Sequence, residues 1–181
     1  MGKGKEMIPS VTQVIAPFAD FSGIPEAVLD HACQRGTKVH AACAAIASGL
    51  FPVVDAETAG YVKSFREWFD STVVVVVGVE MELLDRNLGY TGHLDLLCRI
   101  KGDKGLTVCD LKTPVTAHVL WKAQLAAYRH LCETNGYDVR RAFSLRLSRE
   151  GKVPIVTEYV NHGHDLAGFL AALSAWTYFK G

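Results

Sequence analysis

The sequence predicts an α/β fold in which helices flank one mixed sheet. Two features support this fold class. The periodicity of the apolar residues changes from helical to β-branched after Ser71, and one alanine-rich helix later separates three predicted strands from two more. A length of 181 residues is sufficient for one domain with a substantial core. We therefore predict a single domain over residues 1–181, with residues 1–24 as an N-terminal extension.

Capping and stop signals bound the predicted helices. Ser10 or Thr12 can cap a short helix that ends near Pro17. Pro25 suits the first turn of a long helix, and Gly49 suits its end. The longer predicted helices are Pro25–Ser48, Ala56–Asp70, Ala117–Thr134 and His164–Phe179.

Segments that are β-branched or that alternate between apolar and polar residues predict five strands. The Gly-rich turn Lys101–Gly105 joins the second strand to the third, and a hairpin at Glu150-Gly151 joins the fourth to the fifth. Helices, three strands, a helix, two strands and a helix thus follow one another around one sheet. The predicted strands are Thr72–Leu84, Asn87–Ile100, Leu106–Lys112, Arg140–Arg149 and Val153–Val160.

Composition narrows the class of protein. With 49% hydrophobic and 21% charged residues, the chain resembles an ordinary soluble globular protein. The longest apolar run, Val73–Val77, is too short to span a bilayer, and the first residues lack the apolar segment of a signal peptide. Five dispersed cysteines without a CxxC pattern argue against a disulfide framework and a zinc knuckle. We therefore predict a cytoplasmic protein with no membrane partner.

A net charge of zero conceals a segregation of charge along the chain. Residues 14–98 carry eleven acids against five bases, whereas residues 99–149 carry ten bases against four acids. Such runs are often only solvated faces. A basic second half beside acidic metal ligands also suits a polyanionic substrate.

The segment Thr91–Lys112 carries the residues that are best suited to form a catalytic site. If its turn is centred on Gly102–Lys104, Asp95 lies opposite Asp110 or Leu111 on strands about 4.8 Å apart. The two carboxylates could then share one divalent cation. Asp110 and Lys112 are two residues apart, so on a strand they point to the same face. Two acids and a lysine on one hairpin indicate a hydrolytic site.

Five short motifs occur in order along the chain. They are RGTKVH at 35–40, an acid in GVEMEL at 78–83, GHLD at 92–95, DLK at 110–112 and QLAAY at 124–128. Together with the opening PSVTQVI, this series resembles the PD-(D/E)XK nuclease superfamily, and within it the RecB-like and phage-exonuclease branch. A lone DxK is common by chance, whereas five ordered motifs are specific. The resemblance implies a restriction-endonuclease-like core (αβββαβ), a central mixed sheet flanked by helices, with extra N-terminal helices.

The resemblance also implies a metal-dependent active site. It assigns His40, Asp95 and Asp110 as ligands of one or two Mg²⁺ or Mn²⁺ ions, with Asp95, Asp110 and Lys112 catalytic. Lys112 would orient the nucleophile or neutralise developing charge on the scissile phosphate. Glu80 is an additional candidate acid, for which a solvent-exposed strand residue is the alternative. Asp95 lies among leucines, where an acid without a function would be costly.

A second set of residues is implied to contact the substrate. Gln124, also a catalytic candidate, would reach the active site or a nearby phosphate, and Tyr128 lies one turn later on the same helix face. Arg35 would bind a backbone phosphate, and Arg140 and Arg146 would line a track for DNA. An ordinary amphipathic helix and solvated arginines are the alternatives.

The implied function is hydrolysis of DNA by an exonuclease of phage or recombination-repair type. An endonuclease of the same fold and a non-catalytic DNA-binding or assembly subunit remain open. The resemblance also raises a homo-oligomer and an annealing or recombination protein as partners, although no residue establishes either. Relatives with an iron–sulfur cluster need cysteines near the C-terminus, and none follows Cys132, so no cluster is expected.

Overall fold

The computed structural model describes residues 8–180, and the first seven residues of the predicted N-terminal extension lie outside that range. Its helices and strands follow the predicted order. The helices are α1 (Val11–Ile15), a 3-10 turn (Ala16–Phe18), α2 (Glu26–Ala47), α3 (Ala59–Thr72), α4 (Leu120–Thr134) and α5 (His162–Lys180). The strands are β1 (Val73–Asp85), β2 (Tyr90–Ile100), β3 (Leu106–Lys112), β4 (Val139–Arg146) and β5 (Ile155–Glu158).

The five strands form one mixed sheet in the order β1-β2-β3-β4-β5. The first three strands are a meander of antiparallel hairpins. β4 runs parallel to β3, because α4 crosses over between them. β5 returns antiparallel to β4. The predicted α/β fold around one mixed sheet is therefore confirmed.

Both faces of the sheet are covered, and each face has its own apolar cluster. On one face, α1, α4 and α5 pack on residues such as Leu94, Leu97 and Val108. On the other, α2 and α3 pack on Leu96 and Leu111. Strands buried on two faces lose the simple alternation of apolar and polar residues, which explains why Leu96, Leu97 and Cys98 are consecutive and all buried in β2. Within residues 8–180, no helix is both long and apolar enough to cross a membrane.

Several predicted elements have other boundaries in the structure. β2 begins at Tyr90 rather than Asn87, α4 begins at Leu120 rather than Ala117, and β4 ends at Arg146 rather than Arg149. β5 covers Ile155–Glu158 rather than Val153–Val160, since Pro154 has no N–H to donate to a strand partner. α3 begins at Ala59 rather than Ala56. Before it, the carboxylate of Asp55 accepts hydrogen bonds from the N–H and the hydroxyl of Thr58, at 2.9 and 2.6 Å, and holds a turn.

Candidate functional site

The β2–β3 hairpin has the predicted register. Leu96 lies opposite Cys109 and Leu97 opposite Val108, so Asp95 falls beside Asp110 at the end of the paired region. The strands diverge there. Oδ2 of Asp95 accepts a hydrogen bond from the N–H of Leu111 at 2.6 Å, which fixes its carboxylate between the two strands. The hairpin therefore presents its acids where the sheet opens.

Three side chains from three elements converge at this opening. They are His40 from α2, Glu80 from β1 and Asp95 from β2, and each offers a ligand atom within 4.8 Å of the other two. Nδ1 of His40 lies 3.0 Å from Oδ1 of Asp95. Burial disfavours the charged imidazole, but the hydrogen bond to Asp95 and the nearby carboxylate charges outweigh this effect and raise the pKa of His40.

Glu80 reaches this group from an unusual backbone conformation. Its φ of 49° lies in the left-handed region, and among the described residues it is the only non-glycine residue with a positive φ. Such a conformation costs free energy and persists only where the surrounding structure imposes it. Oε2 of Glu80 also lies 2.7 Å from Nε2 of His93. The carboxylate is thus held between His93 and the pair formed by His40 and Asp95.

A second set of contacts links β3 to α4. Nζ of Lys112 lies 2.6 Å from Oδ2 of Asp110 and donates to Oε1 of Gln124 at 2.9 Å. Nε2 of Gln124 in turn donates to the hydroxyl of Tyr128 at 3.0 Å. The ammonium also lies 5.4 Å from the centre of the Trp121 ring, close enough for a cation–π contact. These partners fix the position of the lysine.

Asp110 is almost completely buried, with 3% of its surface exposed. Burial raises its pKa to about 6, although the positive charge of Lys112 opposes this shift, and the Asp95 carboxylate reinforces it. Apart from the ionic contact with Lys112, Oδ2 of Asp110 has no hydrogen-bond partner among residues 8–180. A buried carboxylate that has one ammonium beside it would be stabilised by additional positive charge.

These donors fit a divalent cation. Two carboxylates and one imidazole suit Mn²⁺ well, and the oxygens also suit Mg²⁺. The expected sharing of one ion by Asp95 and Asp110 is less direct in the structure. Asp110 is not among the three groups whose ligand atoms lie close together, because its carboxylate is turned toward Lys112. Glu80, an uncertain candidate in the sequence, takes that place.

The predicted substrate-binding arginines do not form one track. Arg146 is paired with Lys112 in the sheet register, and its Nη1 donates to the carbonyl of Val115. Arg140 lies at the opposite end of β4, where it forms an ion pair with Asp138 at 2.7 Å.

Arg35 lies on the α2–α3 side of the site. Its guanidinium is 5.8 Å from the Tyr61 ring centre, and Nη1 is 3.8 Å from a carboxylate oxygen of Glu57. Of the three predicted arginines, Arg146 is the one that the sheet register places beside Lys112.

An open groove lies along the β4–β5 turn. It begins at the loop that follows Lys112 and is bordered by basic side chains on β4 and the turn. Its lining includes Tyr61, Thr113, Arg146, Arg149, Glu150 and Lys152, and Lys152 forms an ion pair with Glu150. Arg146 and Arg149 therefore lie along a groove that starts at Thr113, the residue after the DLK motif.

The sequence interpretation missed His93. The resemblance gives this residue of the GHLD motif no role, yet it contacts Glu80. One signal was available, because His93 and Asp95 are two residues apart on a strand and share a face. The partner on β1 was not predictable, since its side-chain direction depends on the positive φ of Glu80.

Comparisons with known proteins give no family for this chain. No family model matches it, and no curated protein is significantly similar to it.

Proposed function

We propose that the chain is a divalent-metal-dependent DNA phosphodiesterase, and within that class an exonuclease. The observation that carries this proposal is the juxtaposition of two groups at the open end of the β2–β3 hairpin. One is the cation-binding set of His40, Glu80 and Asp95. The other is Lys112, fixed between Asp110 and Gln124. A cation and an ammonium side by side are what a phosphodiester needs for neutralisation of its charge.

The topology also supports the proposal. A helix, three antiparallel strands, a helix and a parallel fourth strand are the elements that a restriction-endonuclease-like core (αβββαβ) requires. The motifs are spread over these elements, with RGTKVH on α2, DLK on β3 and QLAAY on α4. Fold alone does not define activity, so the weight of the proposal rests on the side chains.

Each residue has a role that follows from its contacts. A bound Mg²⁺ or Mn²⁺ would polarise the phosphate and lower the pKa of a water molecule. The Lys112 ammonium can donate to a non-bridging phosphate oxygen and stabilise the charge that develops in the transition state. Gln124 orients Lys112 by accepting a hydrogen bond from its ammonium, and Tyr128 orients Gln124 by accepting one from its amide. The oxygen of Asp110 beside Lys112 keeps the ammonium in place.

Two other functions of the same fold would give different results in DNA cleavage and in cation-binding assays. An endonuclease would cut covalently closed circular DNA, whereas an exonuclease requires an end. A non-catalytic DNA-binding subunit would not need to bind a cation, so the absence of Mn²⁺ binding in calorimetry would favour it. The near-complete burial of Asp110 beside Lys112 favours catalysis, because a buried charged pair is costly to keep without a function.

The direct test is digestion of end-labelled single- and double-stranded DNA with Mg²⁺, Mn²⁺ or EDTA. We expect cleavage that depends on the cation and that falls by at least about 10²- to 10³-fold in Lys112→Ala, because one preorganised charge-stabilising group is lost. Asp110→Ala should be equally inactive. Both variants should retain the circular dichroism spectrum of the wild type.

Lys104→Ala is the matched control for the lysine variant. Lys104 is exposed in the turn at the other end of the β2–β3 hairpin, so its removal should leave cleavage unchanged. Full activity of a folded Lys112→Ala protein would refute the proposed role of that residue. Equal loss of activity in the Lys104 and Lys112 variants would show that the assay reports general DNA binding instead.

A further inference from the structure

Glu80 is the least constrained member of the cation-binding set. Its side chain is 37% exposed, and the long side chain of a glutamate loses rotamer freedom when it is fixed. Asp95, by contrast, is 10% exposed and is held by the Leu111 N–H. A ligand as mobile as an exposed glutamate contributes little affinity unless a neighbour fixes its carboxylate.

His93 is that neighbour. Its Nε2 lies 2.7 Å from Oε2 of Glu80, whereas its own ring nitrogens are not part of the set within 4.8 Å that His40, Glu80 and Asp95 form. The imidazole therefore contacts the ligand and lies outside the proposed coordination sphere.

The backbone around His93 is itself fixed. A Cβ on Gly92 would lie 2.4 Å from Cδ1 of Leu131 and 3.0 Å from the Tyr128 ring, so β2 passes unusually close to α4 at this point. Leu94, the next residue on that face, is completely buried. Because successive side chains of a strand point to opposite faces, His93 is directed away from α4 and toward the Glu80 side.

We infer that His93 is a positioning residue for the cation site. Its Nε2 lies 2.7 Å from Oε2 of Glu80, and this contact restrains the carboxylate and leaves its other oxygen to the cation. Partners that restrain a metal ligand in this way are typically worth about 10- to 100-fold in metal affinity. The inference rests on the proposed cation dependence but concerns a residue that the motif comparison does not assign.

The test measures Mn²⁺ binding by isothermal titration calorimetry in the wild type, His93→Ala and His93→Gln. We expect about a 10- to 100-fold weaker affinity for His93→Ala. His93→Gln should recover part of it, since its side-chain amide can donate from a similar position. His164→Ala is the control: His164 is an 83% exposed histidine, and its Nδ1 lies 3.4 Å from a carboxylate oxygen of Asp165, away from the site.

A spectroscopic measurement separates positioning from direct ligation. Electron spin echo spectra of bound Mn²⁺ should show the same imidazole nitrogen coupling in the wild type and His93→Gln. A nitrogen coupling that disappears in His93→Gln would make His93 a ligand and overturn the positioning role.

Two calorimetric results would also overturn the inference. Unchanged Mn²⁺ affinity in a folded His93→Ala protein would reject it while leaving the proposed phosphodiesterase intact. Absence of Mn²⁺ and Mg²⁺ binding in the wild type would reject both.

Discussion

Asp110 is buried together with the ammonium of Lys112, and this pair makes the site sensitive to pH. Removing a carboxylate from water disfavours its charged form, while the nearby ammonium partly restores it. The first effect is the larger, because the pKa rises from its ordinary value of 3.8 to about 6. The folded protein therefore retains a proton at a pH where the unfolded chain has already released it.

This difference predicts a pH dependence of stability. Between about pH 4 and pH 6 the folded state binds more protons at Asp110 than the unfolded state, so the free energy of unfolding should fall as the pH rises through that window. The decline should be on the order of a few kcal/mol. Urea denaturation in EDTA at pH 4, 5, 6 and 7 measures it as the difference between the wild type and Asp110→Asn.

Asp138→Asn provides the comparison, because its carboxylate is exposed at the far end of β4. The difference between the wild type and this variant should stay nearly flat over the same range. If the free energies of unfolding of the wild type and Asp110→Asn differ by the same amount from pH 4 to pH 7, burial does not raise the pKa of Asp110 as proposed.

Residues whose partners lie nearby on the same element were predictable from the sequence. Asp110 and Lys112 share a strand face, and Gln124 and Tyr128 share a helix face, so spacing alone placed each pair. The contact of Glu80 with His93 was not predictable, since it depends on a left-handed backbone that sequence patterns do not reveal. Contacts set by residue spacing within one element can be predicted from sequence, whereas contacts that depend on a rare backbone dihedral angle cannot.

At the scale of elements, the docking of α3 against the β4–β5 turn supports the groove beside the site. A Cβ on Gly60 would lie 1.7 Å from the carbonyl oxygen of Arg149, so helix and turn are in backbone contact. Oγ of the completely buried Ser64 accepts a hydrogen bond from the N–H of Ser148 at 3.0 Å. These contacts hold the turn that carries Arg149.

Substitution of alanine for two helical glycines should change the free energy of unfolding in opposite directions, because only Gly60 packs against another backbone segment. Gly60→Ala should lower the free energy of unfolding by about 1–3 kcal/mol, because the backbone of the turn must move. Gly168→Ala, in α5 with no atom near the new methyl group, should raise it by up to about 1 kcal/mol through helix propensity. Urea denaturation monitored by tryptophan fluorescence compares them. A stabilised Gly60→Ala protein would contradict the close contact.

The order and type of the long elements were predictable from sequence, but some boundaries were not. The start of α3 depends on an aspartate-capped turn at Asp55, and the start of β5 on Pro154. Both are local features that a periodicity argument overlooks. The parallel pairing of β3 with β4 follows from the crossover through α4, which the predicted element order already contained.

At the scale of the whole molecule, the basic second half of the chain does not form one surface. Arg140 is paired with Asp138, and Arg141 with Asp103 and Glu158, all away from Lys112. Arg146 and Arg149 line the groove that begins beside it. The net charge of a segment is therefore a poor guide to where a polyanion binds, and ion pairing within the fold decides it.

The difference between ion-paired arginines and arginines that line the groove predicts different salt dependences of DNA binding for two variants. If DNA follows the groove, Arg149→Ala should weaken binding and reduce the slope of log K against log salt by about 1, because one phosphate contact is lost. Arg140→Ala should leave the slope unchanged. Fluorescence anisotropy with labelled DNA in Ca²⁺ or EDTA, at several salt concentrations, measures both. Equal slopes for the wild type and both variants would show that DNA does not bind along the groove.

The valine-rich strand β1 forms an edge of the sheet, and this has a consequence for self-association. Val74, Val75 and Val77 are each at least 40% exposed on a strand of 13 residues. A long, regular apolar edge invites a strand from another molecule to add to it. Here the pairing of β1 with β2 shifts register between Val73 and Val75 and again between Val76 and Gly78. Such irregularities bend and twist a strand, so the edge is a poor template for cross-β aggregation despite its sequence.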